Sequence, residues 1–157
     1  RWKRVTGVQT CALPISFGMF LAYNSGGTAI FPSTTTIVST NSVDGHVFAF
    51  DAADVDNGSY YLANIPLRAG TYAWHMNYRT SSSSGKVDLY VDGVKVNGAT
   101  PLDAYKASMV YNNQWLVTGI TIATDGWHVF KILTNGKNAS SADYVFNASG
   151  VIIRRTG

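Results

Sequence analysis

The chain has 157 residues, with 12 basic side chains against 9 acidic ones and a single cysteine. That length suits one domain able to bury a core without disulfide or metal staples, and one cysteine excludes any disulfide framework or multi-thiolate metal site. All nine acids are aspartate, while Thr, Val, Tyr and Phe abound, a composition poor in helix formers and suited to pleated surfaces.

In chain order, the first stretch to account for is "VTGVQTCALPIS", Val5 to Ser16. From Val5 to Ile15 it resembles, without a mismatch, the translation of a widely used short-read sequencing adapter. As a secretory leader it fails, because its apolar run is too short, contains Pro14 and leads to no small-residue cleavage site. Residues 1–15 are therefore expected to be non-native and unstructured, with residues 16–157 forming one domain whose true N-terminus lies elsewhere. Without Arg1, Lys3 and Arg4 the basic count drops from 12 to nine, equal to the 9 acids, and Cys11 goes too. The electrostatic case for nucleic acid or an anionic membrane goes with them. No apolar run reaches the about 20 residues of a membrane-spanning helix.

The runs "FGMFLAY", "TAIF", "HVFAF" and "SYYLANI" read as early strands, with "PSTTTIVSTNS" (residues 32–42) as a strand edge and loop. In "GTYAWHMNYRT", Tyr72, Trp74, Met76 and Tyr78 share one face, opposite Ala73, His75, Asn77 and Arg79, which is the period of a half-buried strand. "KVDLYVDG" sets Val87, Leu89 and Val91 against Asp88 and Tyr90. "QWLVTGITI" groups Leu116, Thr118, Ile120 and Ile122, and "WHVFKIL" sets His128, Phe130 and Ile132 opposite Trp127, Val129, Lys131 and Leu133. Between these runs, Ser81 to Gly85 is expected to be a flexible hairpin loop, and Asp92-Gly93 and Asp125-Gly126 to be tight hairpin turns. "NGKNASS", residues 135–141, reads as a longer polar loop before the last run, "DYVFNASGVIIRR". Strands at this spacing, with no helical window between them, predict an antiparallel β-sandwich or jelly roll.

From "IPLRAGTYAWHMNYRTSSSSGKVDLYVDGVKV" through "YNNQWLVTGITIATDGWHVFKILTNGKNASSADYVF" to "IIRRTG", the sequence resembles the C-terminal jelly-roll domains of bacteriophage tail fibres and related virion proteins. Those domains are similar in layout to galactose-binding-like β-sandwich modules. The resemblance covers roughly residues 65–157 and implies an appendage-tip domain on a virion, outside the cell, and a homotrimer.

Catalytic chemistry needs convergent groups, and the sequence offers few. His46, His75 and His128 are too far apart for a local ligand pair, and His128 alternates with apolar residues as a hydrogen-bonded core histidine would. No GxSxG motif is present. The sequons at Asn57, Asn138 and Asn147 are expected by chance in so Asn- and Ser-rich a chain. Asp51, Asp54 and Asp56, with the Asn57 side chain, form the one dense acidic cluster. It could hold calcium. It lacks the EF-hand pattern, however, with Ile65 where the bidentate acid would fall, and a solvated turn is the preferred reading.

Sugar binding needs apolar faces for the ring C–H groups and fixed polar groups for hydroxyls. Trp115 and Trp127, with Tyr105 and Tyr111, stand nearest to the polar residues Asn112, Asn113 and Asp125, so these seven are the candidate ligand-binding set. Large aromatics are more often buried. The expectation is a non-enzymatic domain, without a resident cofactor, that binds a bacterial surface glycan at a fibre tip and neither binds nucleic acid nor inserts into a membrane. The alternatives are a carbohydrate-binding module of a secreted glycosidase and a ligand-free virion decoration.

Overall fold

The computed structural model describes the backbone of residues 12–16, 37–38 and 46–47, and the backbone and side chains of residues 20–30 and 54–157. The described strands are β1 (Ala12–Ser16), β2 (Leu21–Tyr23), β3 (Ala29–Ile30), β4 (Ile37–Val38), β5 (His46–Val47), β6 (Tyr60–Leu67), β7 (Gly70–Thr80), β8 (Gly85–Val91), β9 (Val94–Lys95), β10 (Leu102–Asp103), β11 (Val110–Ile122), β12 (Gly126–Lys137) and β13 (Asn147–Arg155). Four of them form one antiparallel sheet in the order β1-β13-β7-β11. Seven form a second, β10-β8-β12-β6-β2-β3 with β9 on β8, and β4 pairs with β5 separately. From β6 onward the chain changes sheet between β6 and β7, β7 and β8, β10 and β11, β11 and β12, and β12 and β13. This is the antiparallel jelly-roll sandwich that the alternation predicts.

The core lies between the two sheets. Tyr72, Trp74, Met76 and Tyr78 all point inward from β7, none more than 9 % exposed. From the facing sheet come Tyr61, Leu89, Phe130 and Ile132, each at 1 % or less. Trp74 stacks flat on Phe130 across the sheets, with ring centroids 5.5 Å apart, and meets the edge of Phe20 at 6.1 Å. Such pairs contribute beyond the area they bury.

Three local expectations change. In β11 the buried residues are Trp115, Val117, Ile120 and Ile122, so the predicted face is inverted at its first half. The cause is a bulge between Val117 and Ile120, where Gly119 takes a φ of 73° and shifts the alternation by one residue. The predicted hairpins at Ser81–Gly85 and Asp125-Gly126 are instead crossovers, since the strands flanking each lie in different sheets. The serine run is also not loose: Ser81 and Ser84 are buried, their hydroxyls 2.9 Å apart. Ser141 donates its hydroxyl to the Ser84 carbonyl at 2.8 Å. Of the three predicted hairpins, Asp92-Gly93 alone, with φ values of 49° and 83°, makes a tight two-residue turn between paired strands.

Two further boundaries move. Asn135 to Lys137 extend β12, so the polar loop begins later than predicted. Residues 12–15, expected to be unstructured, form β1 with Ser16, in register from Ala12↔Arg154 to Ser16↔Gly150. Backbone pairing explains this, because the free edge of β13 offers N–H and C=O groups to any extended segment whatever its side chains.

Candidate functional site

The seven residues predicted to meet a ligand divide among three places. Tyr105 and Tyr111–Asn113 lie together at the serine-loop end of the sandwich: Val110 pairs with Thr80, Asn113 with Tyr78, and Tyr105 bridges to Ser81. Asn112 holds a φ of 59° inside a second bulge of β11, and the Asn113 amide donates to the Val110 carbonyl at 2.8 Å. Asp125 and Trp127 lie at the opposite end, where β12 begins beside the end of β6. There Asp125 braces the neighbouring crossover by accepting the Ala69 amide at 2.8 Å. Trp115 belongs to neither end: it is buried in an edge-to-face contact with Phe146 at 6.4 Å, turned into the core and not toward a ligand. Sequence reading missed Arg79, whose guanidinium carbon sits 6.0 Å from the centre of the Tyr111 ring.

The acidic cluster is a braced turn. Asp56 accepts the Ser25 amide at 3.0 Å, the Ser25 hydroxyl, and the Ser59 hydroxyl at 2.6 Å. The Ser25 and then Ser59 hydroxyls hold its carboxyl below the usual carboxylate range. Asn57 accepts the Gly136 amide at 2.7 Å, and Asp54 stands exposed. Asp51 lies outside the described residues. Among the described residues, no three carboxylate, thiolate or imidazole groups converge on a cation position, and the four-residue calcium cluster considered above is not complete within them. The turn is solvated, as preferred above: Asp54, Asp56 and Asn57 are all exposed, with Asp56 tied to Ser25 and Ser59.

The solvent face of the seven-stranded sheet carries several exposed apolar side chains, Leu21, Trp127 and Val129 among them. Residues paired across antiparallel strands share a face, so the register builds it in rows about 7 Å apart, two residues along each strand. Trp127 stands beside Pro66, and Val129 beside Asn64. Next come Leu21, Leu62, Lys131 and Tyr90, then Tyr23, Tyr60 and Leu133. Trp127 is 72 % exposed and Leu21 64 %. Tyr23 and Tyr60 stack at 5.1 Å, and the Lys131 ammonium lies 5.0 Å from the centre of the Tyr90 ring. Polar Asn64 and Lys131 thus sit between an exposed indole and a pair of stacked phenols about 20 Å away. The strict alternation of "WHVFKIL" is what puts Trp127 outside, since His128, Phe130 and Ile132 take the core side.

Beneath Trp127, His128 ties two loops together. It is buried, as predicted, with Nδ1 2.6 Å from Asp92 Oδ2 and Nε2 3.0 Å from the Thr124 carbonyl. Both partners are acceptors, so the arrangement suits the doubly protonated, cationic imidazole, in which both ring nitrogens donate. The Asp92 hydrogen bond raises the His128 pKa against the opposing effect of burial, and the same bond, with the Val129 amide, lowers that of Asp92. His128 therefore stabilises fully below its unfolded value of 6.5, and the contribution is lost as pH rises through its raised folded value. Asp92 stabilises above its unfolded value of 3.8 and loses this as pH falls through its lowered folded value. Thermal and urea unfolding of His128→Asn should show a deficit of about 1 kcal/mol near pH 5, modest because Asp92 is half exposed. The deficit should narrow toward pH 9; one that is constant with pH would show a packing role only.

No family model and no curated protein matches the sequence. Solved structures do. A Paenibacillus xanthan lyase superposes with a TM-score of 0.65 at 20 % identity, over 87 % of this chain and 13 % of the lyase, so the chain spans only a small part of that enzyme. A family 35 carbohydrate-binding module from Clostridium thermocellum gives 0.61 at 13 % identity, covering 91 % of this chain and 97 % of the module. A CBM35 from Paenibacillus barcinonensis gives 0.55 at 16 % identity over 92 % and 99 %. At these identities the likeness concerns the fold alone, and on that level this chain is an antiparallel jelly-roll β-sandwich like those of the two carbohydrate-binding modules.

Proposed function

We propose that this chain is a non-catalytic glycan-binding module that works as one part of a larger secreted protein acting on polysaccharide. The observation that carries the reading is Trp127, 72 % exposed on a strand whose alternate residues are buried. An indole held rigidly in water by a sheet gives a flat apolar face for the C–H groups of a sugar ring. Asn64, two residues from Pro66 on the adjacent strand, supplies hydrogen bonds for hydroxyls. Whole-chain matches to two carbohydrate-binding modules support this, as does the small share of the xanthan lyase that the chain spans.

Affinity electrophoresis of the full chain in gels carrying xylan, mannan, xanthan or bacterial cell-wall polysaccharide should show retardation by at least one polymer, reversed by its free oligosaccharide. Unchanged migration in all of them would overturn the reading. The tail-fibre tip, with its virion location and homotrimer, rests on the resemblance of residues 65–157. Gene neighbourhood separates the two: a polysaccharide-active domain in the same frame marks the module, and tail genes mark the fibre. Sequencing the source with an unrelated adapter also decides whether residues 1–15 belong to the protein.

A further inference from the structure

Arg79 is an outward-facing residue near the end of β7, yet it is only 8 % exposed. Its Nε is buried without a hydrogen-bond partner. Among the described residues, ion pairs within 4.0 Å join Lys86 to Asp103, Lys95 to Asp88 and His128 to Asp92, and none involves Arg79. Asp103, on β10, is already shared between Lys86 and the Asn138 amide. What Arg79 does have is the Tyr111 ring, 6.0 Å away and presented by the β11 bulge between Val110 and Asn113.

A guanidinium whose Nε is buried without a partner is costly unless an anion accompanies it, and an aromatic face offsets only part of that cost. Among the described residues, the other buried charged groups, Asp88 and His128, have their counter-ions. Arg79 has a planar fork of donors suited to two oxygens of one anion, and a ring beside it. We propose that Arg79 and Tyr111 form an oxyanion subsite that takes a carboxylate or sulfate-ester group carried on a glycan, with the Tyr111 ring against the sugar bearing it. The glycan as carrier rests on the function proposed above; the anion is argued from Arg79 itself. The subsite lies on the other sheet, at the opposite end from Trp127, so the two can fail separately.

The test uses pairs of polymers that share a backbone: polygalacturonate against its methyl ester, and dextran sulfate against dextran. In affinity electrophoresis of the full chain, the charged member of at least one pair should bind at least tenfold more tightly, and which pair does so distinguishes carboxylate from sulfate. Arg79→Met should remove that preference while leaving Trp127-dependent binding intact, and its melting temperature should be unchanged or higher, because an unpaired charge has been removed. Tyr111→Ala, on the partly exposed rim, should weaken charged-polymer binding several-fold and covers the case in which the Met variant does not fold. Equal binding within both pairs, or an undiminished preference in either folded variant, would overturn the subsite. Loss of neutral binding in Trp127→Ala with the charge preference retained would leave it standing.

Discussion

Asp88→Ala should lose about 3 kcal/mol of unfolding free energy at neutral pH, the lower end for breaking a buried charge pair, since Lys95 keeps some contact with water. Asp88 is fully buried although it sits on the solvent side of β8. It is covered by the groups that satisfy it: Lys95 Nζ at 2.8 Å, Asn97 Nδ2 at 3.0 Å and Asn135 Nδ2 at 2.7 Å. Asn97 also accepts the Leu89 amide at 2.9 Å, so the carboxylate orders the whole β8–β9–β12 corner. Burial is the largest influence on its pKa and pushes it up, but the hydrogen bonds from Lys95, Asn135 and Asn97 together outweigh it, and the carboxyl ends below its usual value. A lowered folded pKa means the stability is present above the unfolded value of 3.8 and is lost as pH falls through the folded one. Urea unfolding should therefore show the full wild-type-to-Ala difference at pH 7 and a shrinking one below that value. A difference under about 1 kcal/mol at neutral pH would show that the three donors are as well served by water.

Asp88 also shows where sequence reading ends. Its face was legible, because period two in "KVDLYVDG" places it opposite Val87 and Leu89. Its burial was not, because the covering side chains come from β9, from Asn97 beyond it and from the far end of β12. The same limit separates Asp92-Gly93 from Asp125-Gly126: identical dipeptides, one closing a hairpin and the other crossing between sheets. Turn chemistry describes the corner and says nothing of which strands pair after it. At Trp115 the alternation itself was broken by Gly119, so one bulge turned an expected ligand contact into core. Trp127 carried the readable signal, since an unbroken alternation of His128, Phe130 and Ile132 leaves it nowhere to go but outward. Arg79 could not be found from sequence, because what marks it is the lack of a carboxylate neighbour in three dimensions.

The sharpest functional expectation concerns that outward indole. Trp127→Ala should weaken polysaccharide binding at least 30-fold, about 2 kcal/mol, the size expected when an aromatic anchor is truncated. The fold should not notice, because a side chain 72 % exposed contributes little buried area. Melting temperature should stay within about 1 °C of wild type, as is usual for surface substitutions. Trp127→Phe should recover part of the affinity by restoring a flat face without the indole N–H donor. Weak sites of this kind gain strength when several engage one polymer, so binding should be measured with soluble oligosaccharides by calorimetry as well as in gels. If Trp127→Ala binds neutral glycans as wild type does while Tyr111→Ala does not, the sheet face is inert. Recognition then belongs to the opposite rim, where Tyr105, Tyr111 and Asn112 gather beside Arg79.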